Sequence, residues 1–292
     1  MTRQILSMVF CNVMWGLSFI ASKHAMLSGF TPMTLALVRY VLAAACLAPM
    51  TLLREKRLEL RRGDGWLMLL SALTGITLYY FCEYQGISRT STVDASLILA
   101  AIPILTMAAE SLIDKRRMGQ RQIGGAVVSA AGTALIVLGG AQEGASSLTG
   151  DLFILGASVV WVGYIFLSKR LRERYSSLSM NAWQAMLAVA TLLPLAAMEE
   201  CNLGAVTPGG WLAVGVLAVV CSALCYWLYG NALHAMSPLA SAIFINLIPL
   251  TTMVGGVCFL GEALTWQTLA GGGMIIGSIF LVNAGEATVN DA

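Results

Sequence analysis

The chain has 292 residues, 58% of them hydrophobic and 11% charged, with a mean hydropathy of +0.79. A soluble chain carries about 25% charged residues, so this composition excludes a soluble enzyme, whose surface it could not coat, and a disordered chain, which needs polar tracts. The net charge of +2 says little by itself; the placement of the charges says more. Charged or turn-rich breaks divide the sequence into ten apolar segments, at about 4–27, 32–53, 65–86, 92–113, 120–140, 150–171, 178–199, 209–233, 238–260 and 266–284. A membrane-spanning helix needs roughly 20 apolar residues, and the segments lack the period-2 alternation of barrel strands. The predicted fold class is therefore an all-α polytopic membrane protein with ten transmembrane helices and almost no extramembrane domain.

The first segment lacks a clear A-x-A cleavage site and reads as a retained span, not a signal peptide. Pro32 and Pro238 sit at first-turn positions, where a missing N–H costs nothing. Ser91 is placed to cap the fourth helix, with Asp94 three residues later as in a capping box. Pro103 and Pro249 interrupt the fourth and ninth spans and free the carbonyls of Leu99 and Ile245. Both prolines are candidate hinges, with a static kink as the competing reading. Asn246 adds an amide beside the second break. Six of the seven cysteines fall inside apolar runs, and the odd count argues against a disulfide framework. Cys221 and Cys225 share a helix face, but nothing completes a metal set.

The basic residues are one-sided. Arg3, the run from Arg54 to Arg62, the group Lys115–Arg117 with Arg121, and the group Lys169–Arg174 place 14 of the 17 on the same side. The positive-inside rule makes that side cytoplasmic, with both termini there and the spans in the cytoplasmic (inner) membrane. Residues also recur at an offset of 145 or 146. Trp15 matches Trp161, Tyr80-Phe81 matches Tyr226-Trp227, Ser91 matches Ser237 and Pro103 matches Pro249; Pro49 matches Pro194 and Gly132 matches Gly277. This predicts two five-helix repeats, 1–145 and 146–292, in one integrated membrane domain. Five is odd, so the second repeat must be inverted relative to the first, a recurrent build for secondary transporters.

Intramembrane charge is costly and needs a partner or a wet cavity. Arg39 lies roughly 10 Å deep from the outer side of the second helix, and Glu83 roughly 5 Å deep in the third. Their depths predict an ion pair on the outer side of the cavity, acting as a gate, coupling element or substrate clamp; snorkelling by Arg39 with a solvated Glu83 is the alternative. Their repeat mates are Gln184 and, approximately, Tyr229. Trp15 and Trp161 fall near the centres of the first and sixth helices. Tyr80, Tyr84, Tyr164 and Tyr226 lie at similar depth, and with Asn246 they form the predicted substrate cavity, suited to aromatic or cationic solutes. Ordinary packing is the competing reading for the aromatics. Glu110 reads as an interfacial ion-pair member with Asp114 and Arg117. Gly273-x-x-x-Gly277, with Gly125, Ser129 and Gly132, favours close helix packing, within the chain or at a dimer seam.

Trp15-Gly16 with Phe19, Arg39, Pro103 and Pro249 resemble the EamA-type transporters of the drug/metabolite transporter superfamily. The stretch Leu260-Gly261-Glu262-x-Leu264-Thr265-x-Gln267 and the Gly-rich span after it carry the same resemblance. The first half departs from it, with Asp114-Lys115-Arg116 where the second half has Gly261-Glu262. The resemblance covers nearly the whole chain and implies a ten-helix basket around a central cavity, working by alternating access. It implies transport of a small metabolite, an amino acid or related organic solute, with export favoured over uptake and a proton or another ion as candidate coupling partner. A membrane enzyme, a channel, and an importer of a quaternary amine or other nutrient are the alternatives. No HExxH, GxSxG, deep Asp pair or GxxxxGK[ST] loop is present, so no enzymatic activity, catalytic residue, metal or cofactor is expected. The expected partners are the solute and the lipid bilayer, with no nucleic acid, and the chain is expected to be a monomer or homodimer.

Overall fold

The computed structural model describes residues 2–113, 115, 118–143, 147–233, 244–245 and 247–289. The described residues form helices and connecting turns, without strands. We number the helices α1 (Thr2–Leu27), α2 (Pro32–Glu55), α3 (Gly65–Ile87), α4 (Thr92–Ile113) and α5 (Gln120–Glu143). They continue as α6 (Leu148–Arg172), α7 (Ser177–Ala197), α8 (Pro208–Tyr229), α9 (Leu247–Leu260) and α10 (Trp266–Val289). Eight of these are long and apolar enough to cross a membrane, and Leu247–Leu260 and Trp266–Val282 are shorter apolar helices. The ten apolar segments of the sequence are thus helical where they are described, apart from a break at residues 100–101 and the last two residues, 198–199, of the seventh. The expected start of the ninth segment, with Ser237 and Pro238, lies outside the described residues, as do Asn246, Asp114, Arg116 and Arg117.

Local chemistry sets the helix ends. Ser91 Oγ accepts from the Asp94 N–H at 2.9 Å, satisfying a first-turn donor as the capping-box reading expects. Ser176 does the same for Ser179 at 3.0 Å, and Pro32 and Pro208 occupy first-turn positions of α2 and α8. Carboxylates arriving from distant loops cap α2 and add to the Ser91 cap of α4. Glu199 accepts from Met33 and Thr34 N–H at the start of α2. Glu262 accepts from the Thr92 and Val93 N–H groups and the Thr92 hydroxyl at the start of α4. Negative charge at a helix N-terminus is favourable on dipole grounds.

The polarity of the molecule is that of a protein whose solvent is lipid. Large apolar side chains such as Leu53, Val159, Leu212 and Phe259 are exposed, while Arg39, Glu83, Asp94, Asp151 and Gln184 are buried. In the packing, α1 lies against α8 and α9, and α6 lies against α3 and α4. Helix α2 lies against α7 and α8, α7 against α2 and α3, and α5 pairs with α10. Wide π-type turns occupy Leu73–Leu78 of α3, Leu217–Leu224 of α8 and Gly256–Leu260 of α9. The first two stand at the 146-residue offset. Helix α4 is broken between Leu99 and Ile102, just ahead of Pro103.

The α5–α10 seam corrects one reading of the sequence. A Cβ on Gly132 would lie 2.7 Å from the Gly271 carbonyl oxygen, and one on Gly271 would lie 2.6 Å from that of Gly132. The backbones meet there, with Gly125 against Val282 and Ser278. Gly273 and Gly277 face open space. Helix rotation turns the Gly-x-x-x-Gly pair away from the seam, which runs through Gly271 instead.

Candidate functional site

A small mid-membrane cavity lies between α2, α3, α6, α7 and α8. Helix α2 contributes Tyr40 and Leu47, and the wide turn of α3 contributes Gly75 and Ile76. Trp161 and Tyr164 of α6 and Asn181, Gln184 and Ala185 of α7 form one side, and Ser222 and Tyr226 of α8 complete it. Its free volume is only about 20 Å³, room for about one water and well below the ~300–1,000 Å³ of small-ligand sites; the site is collapsed in this state. Trp161 packs at a tilt against Tyr164, 4.9 Å between centroids, and against Tyr79 at 4.8 Å. The Gln184 amide donates to Ser71 Oγ at 3.0 Å and accepts from Tyr164 Oη at 3.4 Å, which presents it in one orientation. Gly75 is required here: a Cβ would lie 2.4 Å from Tyr164 Cδ2.

Arg39 sits immediately behind this wall, 3% exposed. Its Nε donates to Ser222 Oγ at 3.0 Å and its Nη1 to Tyr84 Oη at 2.8 Å. The guanidinium stands 4.8 Å from the Tyr80 ring centre and 6.0 Å from that of Tyr40, and a desolvated cation–π contact of this kind is worth about 2 kcal/mol. Glu83 is 7% exposed and accepts from Tyr79 Oη at 3.0 Å, one helical turn earlier.

The expected Arg39–Glu83 ion pair is therefore absent from this structure. Among the described residues the ion pair is Arg174–Asp64, at 2.7 Å. Depth along a helix says nothing of azimuth. Glu83 shares a strip of α3 with Tyr79 and bonds to it, whereas Arg39 points toward α8 and Tyr84.

Of the predicted cavity residues, Trp161, Tyr164 and Tyr226 line it. Tyr80 and Tyr84 lie behind it, around Arg39. Trp15 also stands outside the lining: its indole N–H donates to the Cys221 carbonyl in the wide turn of α8, at 3.0 Å, and its ring packs at a tilt against Tyr226 and Tyr229. Asn246 lies outside the described residues. Pro103 is exposed next to the break in α4, and Pro249 is buried in α9. Glu110 is exposed, and its expected partners Asp114 and Arg117 lie outside the described residues. Tyr40, Asn181, Ser222 and Gly75 escaped the sequence reading. Gln184 entered it as the mate of Arg39, and the same 145-residue offset relates Tyr40 to Ala185, both lining residues.

The two ends of the bundle are tied differently. On the side expected to be external, Lys23 Nζ donates to the Ile87 and Thr90 carbonyls and Thr90 Oγ1 to the buried Asp151 at 2.5 Å. Thr268 Oγ1 donates to buried Asp94 at 2.8 Å, alongside the Glu199 and Glu262 caps. On the basic side, the turn before α3 meets the turn before α7. Arg174 pairs with Asp64, Tyr175 Oη donates to Asp64 at 3.1 Å and accepts from the Arg61 N–H at 2.9 Å, and Ser176 Oγ donates to Glu55.

The description of the EamA-like transporter family matches the chain twice, over residues 2–138 and 148–284. An "uncharacterized transporter" of Archaeoglobus fulgidus is 28% identical over 93% of this chain and 94% of its own length. A "probable terminal-alkyne amino-acid exporter" of Streptantibioticus cattleyicolor is 25% identical over 97% and 94%. A "probable amino-acid metabolite efflux pump" of Salmonella typhimurium is 24% identical over 92% and 91%. A solved crystal structure shares the fold, with a TM-score of 0.66 at 18% identity and 96% coverage of both chains.

Proposed function

Because the chain belongs to the EamA-like transporter family, and is thus a multi-pass membrane transporter, we propose that it is a secondary transporter. It carries an amino acid or related organic solute across the cytoplasmic membrane by alternating access of two inverted repeats, 1–145 and 146–292. The observation that carries this reading is the cavity, an aromatic and amide-lined space at mid-depth where helices of both halves meet. The inverted-repeat reading is supported by contacts that exchange under the swap of halves: α1 on α8 and α9 against α6 on α3 and α4. It is supported too by the two matches to the family model.

Alternating access requires one end to open while the other holds. The external ties use buried carboxylates and backbone groups, and breaking them strands desolvated charge. The basic-side tie also ends on a buried carboxylate, Asp64, but its cation Arg174 is 36% exposed, so water can take that partner's place. From this state the cytoplasmic end is the easier to open, with both termini on that side by the charge rule. The break beside Pro103 and the wide turns of α3, α8 and α9 supply bending points. Trp161, Tyr164 and Tyr226 form the apolar shelf for the solute. Two relatives named as an exporter and an efflux pump support export as the direction. Glu83, a carboxyl buried at the membrane level, is the proposed proton site if transport is proton-coupled.

The test is transport in proteoliposomes with a panel of amino acids and quaternary amines, with and without a pH gradient. Movement of an amino acid that is abolished by Trp161→Ala supports the reading. Failure to move any solute, with hydrolysis of a lipid or peptide instead, overturns it. A Glu83→Gln variant that keeps its pH dependence removes the proton assignment alone.

A further inference from the structure

The charge next to the cavity is positive, and this bears on the class of solute. Arg39 is buried in the membrane-spanning part of the molecule, yet among the described residues no carboxylate lies within ion-pair distance of it. A buried guanidinium without a counter-charge is expensive. Its five N–H groups form a rigid fork. The hydrogen bonds found to described residues engage Nε and Nη1, both with neutral hydroxyls. One of those hydroxyls, Ser222, is itself part of the cavity wall. The guanidinium is thus a single hydroxyl away from the space a solute would fill. Tyr80 and Tyr84 hold it from behind. Across the cavity stand the uncharged amides of Asn181 and Gln184 and the rings of Trp161 and Tyr164. Glu83 is not part of the lining and is engaged by Tyr79.

We propose that Arg39 is a specificity-determining residue that recognises a carboxylate on the transported solute, with the Ser222 hydroxyl and the guanidinium fork as its binding pole. This rests on the transporter reading above and narrows it. The solute enters with its carboxylate toward α2 and α8 and its apolar part against Trp161 and Tyr164. Its anionic group replaces neutral hydroxyls as the direct partner of a charge that no carboxylate of the described residues touches, and a two-oxygen acceptor matches the fork. A solute with positive charge alone meets repulsion at this pole. It also finds the faces of Tyr40 and Tyr80 already occupied by Arg39. The cavity is therefore a carboxylate site, and the quaternary-amine alternative is disfavoured by the electrostatics of the wall.

The experiment compares isosteric pairs that differ only at the carboxylate. Purified protein is titrated with L-phenylalanine and L-phenylalaninamide, with L-leucine and L-leucinamide, and with 3-phenylpropanoate and 3-phenylpropanamide. Binding is read by thermal stabilisation in detergent, and transport of the amino acids is read in proteoliposomes. The acids are expected to bind at least about 30-fold more tightly than the amides, the low end of what losing one partner of a buried charge pair costs. Arg39→Gln is expected to abolish that preference and Arg39→Lys to keep part of it. Loss of discrimination is a readout that a merely structural Arg39 would not move. Equal binding of acids and amides by the parent protein overturns the proposal without needing any variant. So does an Arg39→Gln protein that retains the acid preference. If quaternary amines are transported and no acid is, the carboxylate assignment fails while the transporter reading stands. If no solute of any class is bound or moved, both fail.

Discussion

The Glu262 carboxylate closes the N-terminus of α4 from the opposite half of the chain, and its removal has a size that the structure allows to be worked out. It accepts the Thr92 N–H at 2.8 Å, the Val93 N–H at 3.1 Å and the Thr92 hydroxyl at 2.9 Å. Thr92 and Val93 open the helix, so their N–H groups have no acceptor within the helix itself. Losing a side-chain cap costs about 0.5–2 kcal/mol, and losing the negative charge at the dipole's positive end adds about 0.3–1 kcal/mol. The glutamate is only half-buried, which keeps the sum near 2 kcal/mol for Glu262→Ala. The turn that carries it is held separately by its own backbone, through Glu262 N–H to the Gly256 carbonyl and the left-handed Gly261 at φ 66°. The loss is therefore local to the start of α4. Hydrogen exchange followed by mass spectrometry in detergent reads it. Local opening made easier by about 2 kcal/mol corresponds to roughly 30-fold faster exchange at residues 92 and 93. Glu262→Gln, which keeps one acceptor but no charge, is expected to fall between alanine and the parent. Exchange of these amides within twofold of the parent in the alanine variant would refute the reasoning, because it would mean that the donors find equal partners elsewhere.

Three further outcomes are expected. Gly75→Val drives a side chain into the Tyr164 ring, a Cβ there lying 2.4 Å from the ring; it should cost about 1–3 kcal/mol in thermal or denaturant unfolding and abolish uptake into proteoliposomes. Gly132→Val should cost a similar ~1–3 kcal/mol by parting α5 from α10, whereas Gly277→Val, which faces open space, should leave unfolding in detergent within about 0.5 kcal/mol of the parent. Arg174→Gln should lower stability by only about 1 kcal/mol, since Arg174 is partly solvated and buried Asp64 keeps the Tyr175 hydroxyl as a donor, yet it should increase labelling of an Asn181→Cys variant by a membrane-impermeant maleimide added to the basic side.

How far the sequence could be read depends on what each feature is made of. The helices were legible because a lipid solvent forces every backbone group to be satisfied within its own segment, so a long apolar run has little alternative to a helix. The Ser91–Asp94 cap was legible because its two residues are three apart. The gate was not. Arg39 and Glu83 were placed at compatible depths, but the ion pair depends on the rotation of α2 and α3 about their own axes. That rotation is set by which faces pack against α7, α8 and α6. The same blindness to azimuth put Trp15 in the cavity, where its equivalent Trp161 lies, and left open whether Gly273 and Gly277 pack within the chain, where the seam runs through Gly271. Glu262 was noticed as part of a motif, yet its partners Thr92 and Val93 lie 170 and 169 residues away in the chain.

The sequence by itself determined the solvent of this protein, the positions of its spans and the sidedness of its charge. These follow from composition and from the 1.5 Å rise of a helix, both local properties. The offset of 145 or 146 residues also belongs to the sequence, and it identified Gln184 through its mate. Only the tertiary structure decided which residues face the cavity, and that Arg39 faces hydroxyls and rings instead of a carboxylate. Side-chain direction on a helix changes by 100° with each residue, and the rotation of each helix is chosen by packing among helices distant in the chain.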